Sequence, residues 1–248
     1  MNQPIYDRIG IQYATKRQTD PRLAKQIHAK LVNAKNIVNI GAGTGSYEPA
    51  DAELIAVEPS LKMISQRSAA AHPVVQASAE ALPFTDRQFT HALTVLSMHH
   101  WKNRGQAFAE INRVATEGFV AVSWDPAADP FWLTRDYFPE IHAKDQKNFP
   151  GKEELSEFFD DVVFTPLPVP EDCIDGFMAA YWKRPEAYLN QEVRQSISSF
   201  ATWEVVPEGM KRLQQDLETG AWIERNGPLM ELSELDVGYV LITGKIKK

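Results

Sequence analysis

Three glycines at alternate positions, Gly41, Gly43 and Gly45, follow the short apolar run Ile37-Val38-Asn39-Ile40. Backbone this bare lets a ligand approach the main chain, because glycine takes positive φ at low cost and presents no Cβ. A carboxylate, Glu58, closes the next apolar run, Leu54-Ile55-Ala56-Val57. At the end of the second strand of a parallel sheet, such a carboxylate is placed to accept hydrogen bonds from both hydroxyls of a ribose. The glycine spacing separates cofactors. A dinucleotide turn reads G-x-G-x-x-G, whereas here the third glycine comes one place early and Ser46 takes the expected position. A Walker-type phosphate loop also fails, because no Lys-Ser or Lys-Thr follows. A glycine turn that only bends the chain would leave Glu58 unexplained.

His99 and His100 end the apolar run 89–98. An imidazole that titrates near neutral pH suits general-base work, and the alternative is that the pair packs the strand exit. Adjacent residues on an extended chain point apart and no third ligand is evident, so no metal is expected. Trp124 leaves the run 119–124, and Tyr137 and Trp182 lie in irregular or inserted segments. These three are candidates for an aromatic acceptor pocket, against the alternative of a small local core. The lone cysteine, Cys173, allows no internal disulfide and has no neighbour that would activate it.

Regular elements must position these groups. Asp20 as N-cap and Pro21 at the first helical position open a helix over 20–34, with Leu23, Ile27 and Leu31 on one stripe. Apolar runs at 37–40, 54–57, 73–77, 89–98 and 119–124 read as strands, with helical patterns between them, for instance 107–115. Strands apolar on both faces that alternate with helices predict an α/β fold with a mostly parallel, doubly wound sheet. Residues 126–150 show no clear regular element, 151–159 read as a helix and 161–170 as a strand with a proline end. Residues 237–246 read as a last strand, an antiparallel edge partner for 161–167. The expected division is an α/β domain over 1–172 plus 236–248, with 173–235 as a mainly helical insertion that covers the ligand end.

Bulk properties narrow the partners. The chain has 248 residues, enough for one large α/β domain. A net charge of −7 argues against a nucleic-acid binder, which needs a basic face, and favours a small-molecule partner. No apolar run approaches the roughly 20 residues of a membrane helix, and no secretory pattern opens the chain. With a single cysteine, a cytoplasmic address is the expectation. The sequence does not fix an oligomeric state.

The turn at 37–45, VEPS at 57–60, ASAEALPF at 77–84 and VLSMHHW at 95–101 occur in this order. In this they resemble the class I S-adenosylmethionine-dependent methyltransferases of the type 11 kind. The segments 6–17 and 172–189 are similar to a bacterial branch of that family. The resemblance implies a Rossmann-like methyltransferase fold, with a seven-stranded mostly parallel sheet, the last strand antiparallel, and a helical lid insertion. It implies S-adenosylmethionine as cofactor and S-adenosylhomocysteine as product. Gly41, Ala42, Gly43 and Gly45 would line the methionine and ribose part, and Glu58 would hold the ribose. Pro59, Ser60 and Met63 would flank the adenine, Ser78, Ala79 and Glu80 would form its edge, and Leu96 and Ser97 would lie beside the sulfonium. The N-terminal segment would close over the cofactor, with Tyr13 facing the methyl and Arg17 gripping a substrate carboxylate. Three positions depart from the family pattern: Asn39, Ser78 and Thr90 stand where relatives usually carry an acid. The expected function is methyl transfer to a small-molecule acceptor. Alternatives are a non-catalytic S-adenosylmethionine or S-adenosylhomocysteine binder, a nicotinamide oxidoreductase, which the glycine spacing opposes, and a macromolecular methyltransferase, which the acidic balance opposes.

Overall fold

In the computed structural model, residues 17–201 and 207–247 are described. Helix α1 (Pro21–Ala29) starts where Asp20 accepts the Arg22 amide and Pro21 fills the first helical position. It stops earlier than the apolar stripe predicts, yet Leu31 beyond it is still buried. There follow β1 (Asn36–Ile40), β2 (Glu53–Val57), α2 (Leu61–Ile64), β3 (Val74–Val75), β4 (Phe89–Val95), α3 (Arg104–Val114) and β5 (Ala115–Trp124). The segment 126–150, which shows no clear element in sequence, holds α4 (Trp132–Asp136) and α5 (Pro139–Asn148). Proline starts α5, and Ile141 is its one buried residue besides the partly buried positions, so no apolar stripe marks the helix.

The chain continues through α6 (Lys152–Phe158), β6 (Phe159–Pro166) and β7 (Val169–Pro170). It then runs through α7 (Gln191–Gln195), α8 (Ser198–Ala201), α9 (Pro207–Thr219) and α10 (Ala221–Asn226) to β8 (Glu234–Leu235) and β9 (Tyr239–Ile246). Seven strands form one sheet in the order β3-β2-β1-β4-β5-β9-β6. Strands β1 to β5 pair in parallel, and β9 runs antiparallel to both β5 and β6. The last strand therefore lies one place in from the edge, and β6 forms the edge. This is the Rossmann-like methyltransferase arrangement. Among the described residues, no helix is long and apolar enough to cross a membrane.

Side chains alternate between two cores, as a pleated strand requires. Ile37, Leu93, Val120 and Leu241 pack towards α1, against Leu23 and Ile27. Val38, Ala92, Phe119 and Ile242 pack towards α3 and α6, against Phe108, Ile111 and Leu155. A third core, built on Trp132, Tyr188, Leu213 and Trp222, joins α4 and α5 to the helices after β7. The helical layer therefore draws on two separate stretches of chain.

Strand order reverses between β1 and β4, and such a switch point opens a crevice at the carboxyl ends of the strands. The β1 exit turn is held there from beneath. Arg67 and Glu48, both almost fully buried, form an ion pair, and Arg67 also reaches the Gly43 and His72 carbonyls. Glu48 Oε1 accepts from Asn39 Nδ2 at 3.0 Å. A carboxylate from the turn thus stands beside Asn39 of the strand. Thr90 has a different explanation: it sits at the far end of β4, where its hydroxyl donates to the Asn36 carbonyl. Its change from the family pattern does not touch the crevice.

This arrangement generates a prediction that a family comparison would reverse. Asn39→Asp removes the donor to Glu48 and sets two carboxylates within hydrogen-bond distance. Repulsion raises the folded-state pKa of the pair, so the folded state binds more protons than the unfolded state and stability falls as pH rises. Urea unfolding should show a loss of about 2 kcal/mol at pH 8 and a smaller one at pH 5. Equal stability of the variant and the parent at pH 8 would contradict the account.

Candidate functional site

A cleft of about 1020 Å³ lies over the carboxyl ends of β1, β2 and β4. Gly41, Ala42, Gly43, Glu58, Pro59 and Met63 line it on one side. Ser78, Ala79, Glu80, Leu96 and Ser97 line the other. Local geometry explains each contribution. Gly41 has φ +69° and abuts the β4 exit so closely that a Cβ would lie 1.8 Å from Ser97 Oγ. Gly43 has φ +53°, and a Cβ there would meet only Met63 Cε, at 3.4 Å. Gly41 therefore serves the contact between strand ends, and Gly43 leaves its free side to the cleft. Gly45 does not line the cleft; it packs over the Arg67–Glu48 pair.

Glu58 is 5% exposed and accepts from the Gly43 and Ser60 amides, both at 2.9 Å. Ser60 is buried and acts as N-cap of α2, accepting the Met63 amide, so it positions the wall without facing the ligand space. Glu80 accepts the Lys102 and Asn103 amides, tying the cleft rim to the start of α3. Asn39 also lines the cleft, and its Oδ1 is buried without a hydrogen-bond partner. An orphaned buried acceptor calls for a donor, since an unmet buried polar atom costs about 1–3 kcal/mol.

Leu96 has φ +49°, an unusual backbone conformation for a bulky residue, at the exit of β4. It lines the cleft and also a second cavity of about 60 Å³ beyond it. His99 and Arg17 are shared by both cavities as well. The second cavity lies on the seam between the α1-side core and the helical layer, with walls from Trp124, Phe131, Phe149, Phe177 and Tyr239.

The histidines are placed beside the cleft, but in an environment that alters their chemistry. His99 stacks on Phe149 with ring centroids 4.3 Å apart. Burial, the adjacent His100 and Arg17 hold it well below the usual imidazole range. His100 is pushed down to about 4 by burial, with Arg17 and Lys144 adding to the effect. Both rings are neutral at physiological pH. They are weak proton acceptors rather than bases poised near 7.

Other expected contacts are relocated. Arg17 donates to Asp175 through Nε and Nη2, and Tyr47 Oη donates to the same buried carboxylate at 2.9 Å. Its fork is thus engaged by the protein rather than open to a substrate carboxylate. Tyr137 is buried in the helical layer and bonds Asp216 and Arg225. Trp182 is fully buried and donates to the Val169 carbonyl, so neither it nor Tyr137 lines the two cavities. Tyr13 lies outside the described residues. The Cys173 thiol is buried and its pKa is pushed up to about 12, which leaves it unreactive. Among the described residues, no three His, Cys, Asp or Glu side chains gather as metal ligands. Sequence reading missed Glu48, Arg67, Phe149 and Asp145, whose roles come from contacts distant in sequence.

The family model of a methyltransferase domain matches residues 38–122, the stretch that carries β1 to β5. A solved structure from Anabaena variabilis, assigned as a methyltransferase of an antibiotic biosynthesis pathway, is 32% identical. That likeness covers 92% of this chain and 98% of the other, with a TM-score of 0.82. A malonyl-[acyl-carrier protein] O-methyltransferase from Pseudescherichia vulneris is 31% identical over 145 residues; the match spans 55% of each chain, about half the length of that curated relative. The fold also matches a phosphoethanolamine N-methyltransferase from Haemonchus contortus in complex with S-adenosylhomocysteine. There the identity is 12%, the TM-score 0.55, and the coverage 93% of this chain and 53% of the other. Sheet order, exit turn and near full-length likeness agree: the chain belongs to the class I S-adenosylmethionine-dependent methyltransferases.

Proposed function

We propose that the chain transfers a methyl group from S-adenosylmethionine to a small-molecule acceptor in the aromatic cavity. The observation that carries this reading is that two unlike cavities share Arg17, Leu96 and His99 as wall residues. One has the size and donor set for a nucleoside, and the other is small and mainly aromatic.

The cleft residues fit the cofactor. Glu58 has lone pairs beyond those used by Gly43 and Ser60, and these suit ribose hydroxyls. The orphaned Asn39 Oδ1 suits an ammonium donor such as the cofactor's amine. Pro59, Met63 and Ala79 offer apolar surface to an adenine, with Ser78 at its edge. When bound, S-adenosylmethionine supplies an electrophilic methyl group on a sulfonium, so the chain's own contribution is position and electrostatics. The neutral imidazoles of His99 and His100 leave a cationic ligand unrepelled. The helical layer, residues 173–235 with α4 and α5, serves as the cover of the acceptor side. A net charge of −7 favours a small acceptor over a nucleic acid.

Calorimetric titration tests the cofactor directly. S-adenosylhomocysteine should bind the purified chain and NAD should not; preference for NAD would overturn the reading. Glu58→Ala should weaken S-adenosylhomocysteine about 10- to 100-fold, the range for lost hydrogen bonds to a charged group. Gly43→Val tests the placement of the site. Its side chain enters the cleft at a positive φ, so binding should be lost while circular dichroism remains that of the parent. Survival of binding would show that the cofactor lies elsewhere. Binding without turnover across a broad acceptor panel would favour the non-catalytic alternative.

A further inference from the structure

The aromatic cavity contains a carboxylate that the reading above does not use. Helix α5 brings Asp145 and His142, three residues apart, to one side, and both line this cavity with His99. No hydrogen bond reaches the Asp145 carboxylate from any described residue. His99 Nδ1 and His142 Nδ1 are also buried without partners. The cavity's guanidinium, Arg17, is engaged by Asp175. The carboxylate only accepts, and it lies beside imidazole nitrogens that also lack partners; the hydroxyls of Thr134, Ser198, Ser199 and Tyr239 complete the polar lining.

With the cleft read as the cofactor's, we propose that the aromatic cavity takes a small primary or secondary amine whose ammonium group pairs with Asp145. An ammonium brings two or three N–H donors and a positive charge to a carboxylate that no described residue hydrogen-bonds. The aromatic rings of Trp124, Phe149 and Tyr239 in the lining suit a cation, and together with the ion pair they would offset the loss of water. A volume of about 60 Å³ has room for roughly four to six water-sized groups, which fits the amine end of a ligand. A carboxylate ligand would meet Asp145 as a like charge, with Arg17 already engaged.

Burial pushes the Asp145 carboxyl up to about 7, with Lys144 on the same helix opposing. Groups lining the cavity with it from other elements are Arg17, neutral His99, and Tyr239, whose phenol burial also raises; His142, on α5 itself, is held below its usual range by burial. Near neutral pH the same carboxylate can hold the ammonium and accept its proton. The nitrogen must lose an N–H proton before its lone pair is free to take a methyl group. The N–H bond breaks, an O–H bond forms on Asp145, and the two opposite charges vanish together.

Keeping this acid has a consequence for stability. Its folded-state value lies above the unfolded value of 3.8, so the folded state holds the extra proton and stability falls as pH rises from about 4 to 7. Asp145→Asn abolishes that fall. The test uses the full chain loaded with S-adenosylhomocysteine, titrated at pH 8 with benzylamine and with benzoate. Benzylamine should bind the parent and Glu140→Gln, an exposed change on the same helix. Benzoate should not bind. Asp145→Asn should weaken benzylamine at least tenfold, leave S-adenosylhomocysteine affinity unchanged, and raise the Tm at pH 8 but not at pH 4. Benzoate binding as tightly as the amine, absence of amine binding to the parent, or unchanged amine affinity in Asp145→Asn would each overturn the proposal. Failure of the parent to bind S-adenosylhomocysteine would instead sink the cofactor reading.

Discussion

The ligand end of this molecule depends on one buried ion pair. Arg67 and Glu48 sit under the β1 exit turn with side chains only 4% exposed. Through them the Gly43 carbonyl, the His72 carbonyl and the tip of β1 at Asn39 are held to one another. A buried pair is weak evidence for net stability, because desolvation of both ions offsets much of their attraction. What it supplies here is geometry. Three glycines at positive φ form a turn with many accessible shapes, and a guanidinium with several fixed donors selects one of them. Removal of either partner would strand the other charge, which costs about 3–5 kcal/mol.

The two cavities put the same physical effect to different uses. Burial neutralises His99 and His100, so the junction between the cavities carries no positive charge from imidazole. Burial also raises Asp145, so a carboxylate in the second cavity is pushed up to about 7. Glu58, by contrast, accepts the Gly43 and Ser60 amides in the same fold. Under the proposed reading these two carboxylates would serve different tasks, one holding a neutral sugar and the other exchanging a proton.

The legible part of the site was local. Asp20 with Pro21, the first two glycines of the turn, Glu58 and the β/α alternation each depend on residues adjacent or one element apart; the structure has the cap and the alternation as read and puts Gly41, Gly43 and Glu58, though not Gly45, at the cleft. What stayed hidden depended on long-range contacts. Nothing in the sequence around Arg17 announces Asp175, 158 positions away, so its fork looked available for substrate. Trp182 looked like a pocket aromatic because aromatics suit both pockets and cores, and only its buried bond to Val169 decides between them. Helix α5 was illegible because its inner face is mixed, with Ile141 beside His142 and Asp145. The irregularity that hid the helix is the set of residues that gives the cavity its polarity.

The cores also separate what can vary from what cannot. Strand ends around the cleft are locked to one another: Gly41 touches Ser97, and Leu96 holds a strained backbone while its amide donates to the Val122 carbonyl. A change there propagates into both faces of the sheet. The second cavity lies on the seam with the helical layer, whose own core is built on Trp132, Tyr188, Leu213 and Trp222. A fold divided in this way can keep its cofactor cleft while its acceptor changes. Acceptor chemistry must therefore be read from the few unpartnered polar atoms on the seam rather than from the fold.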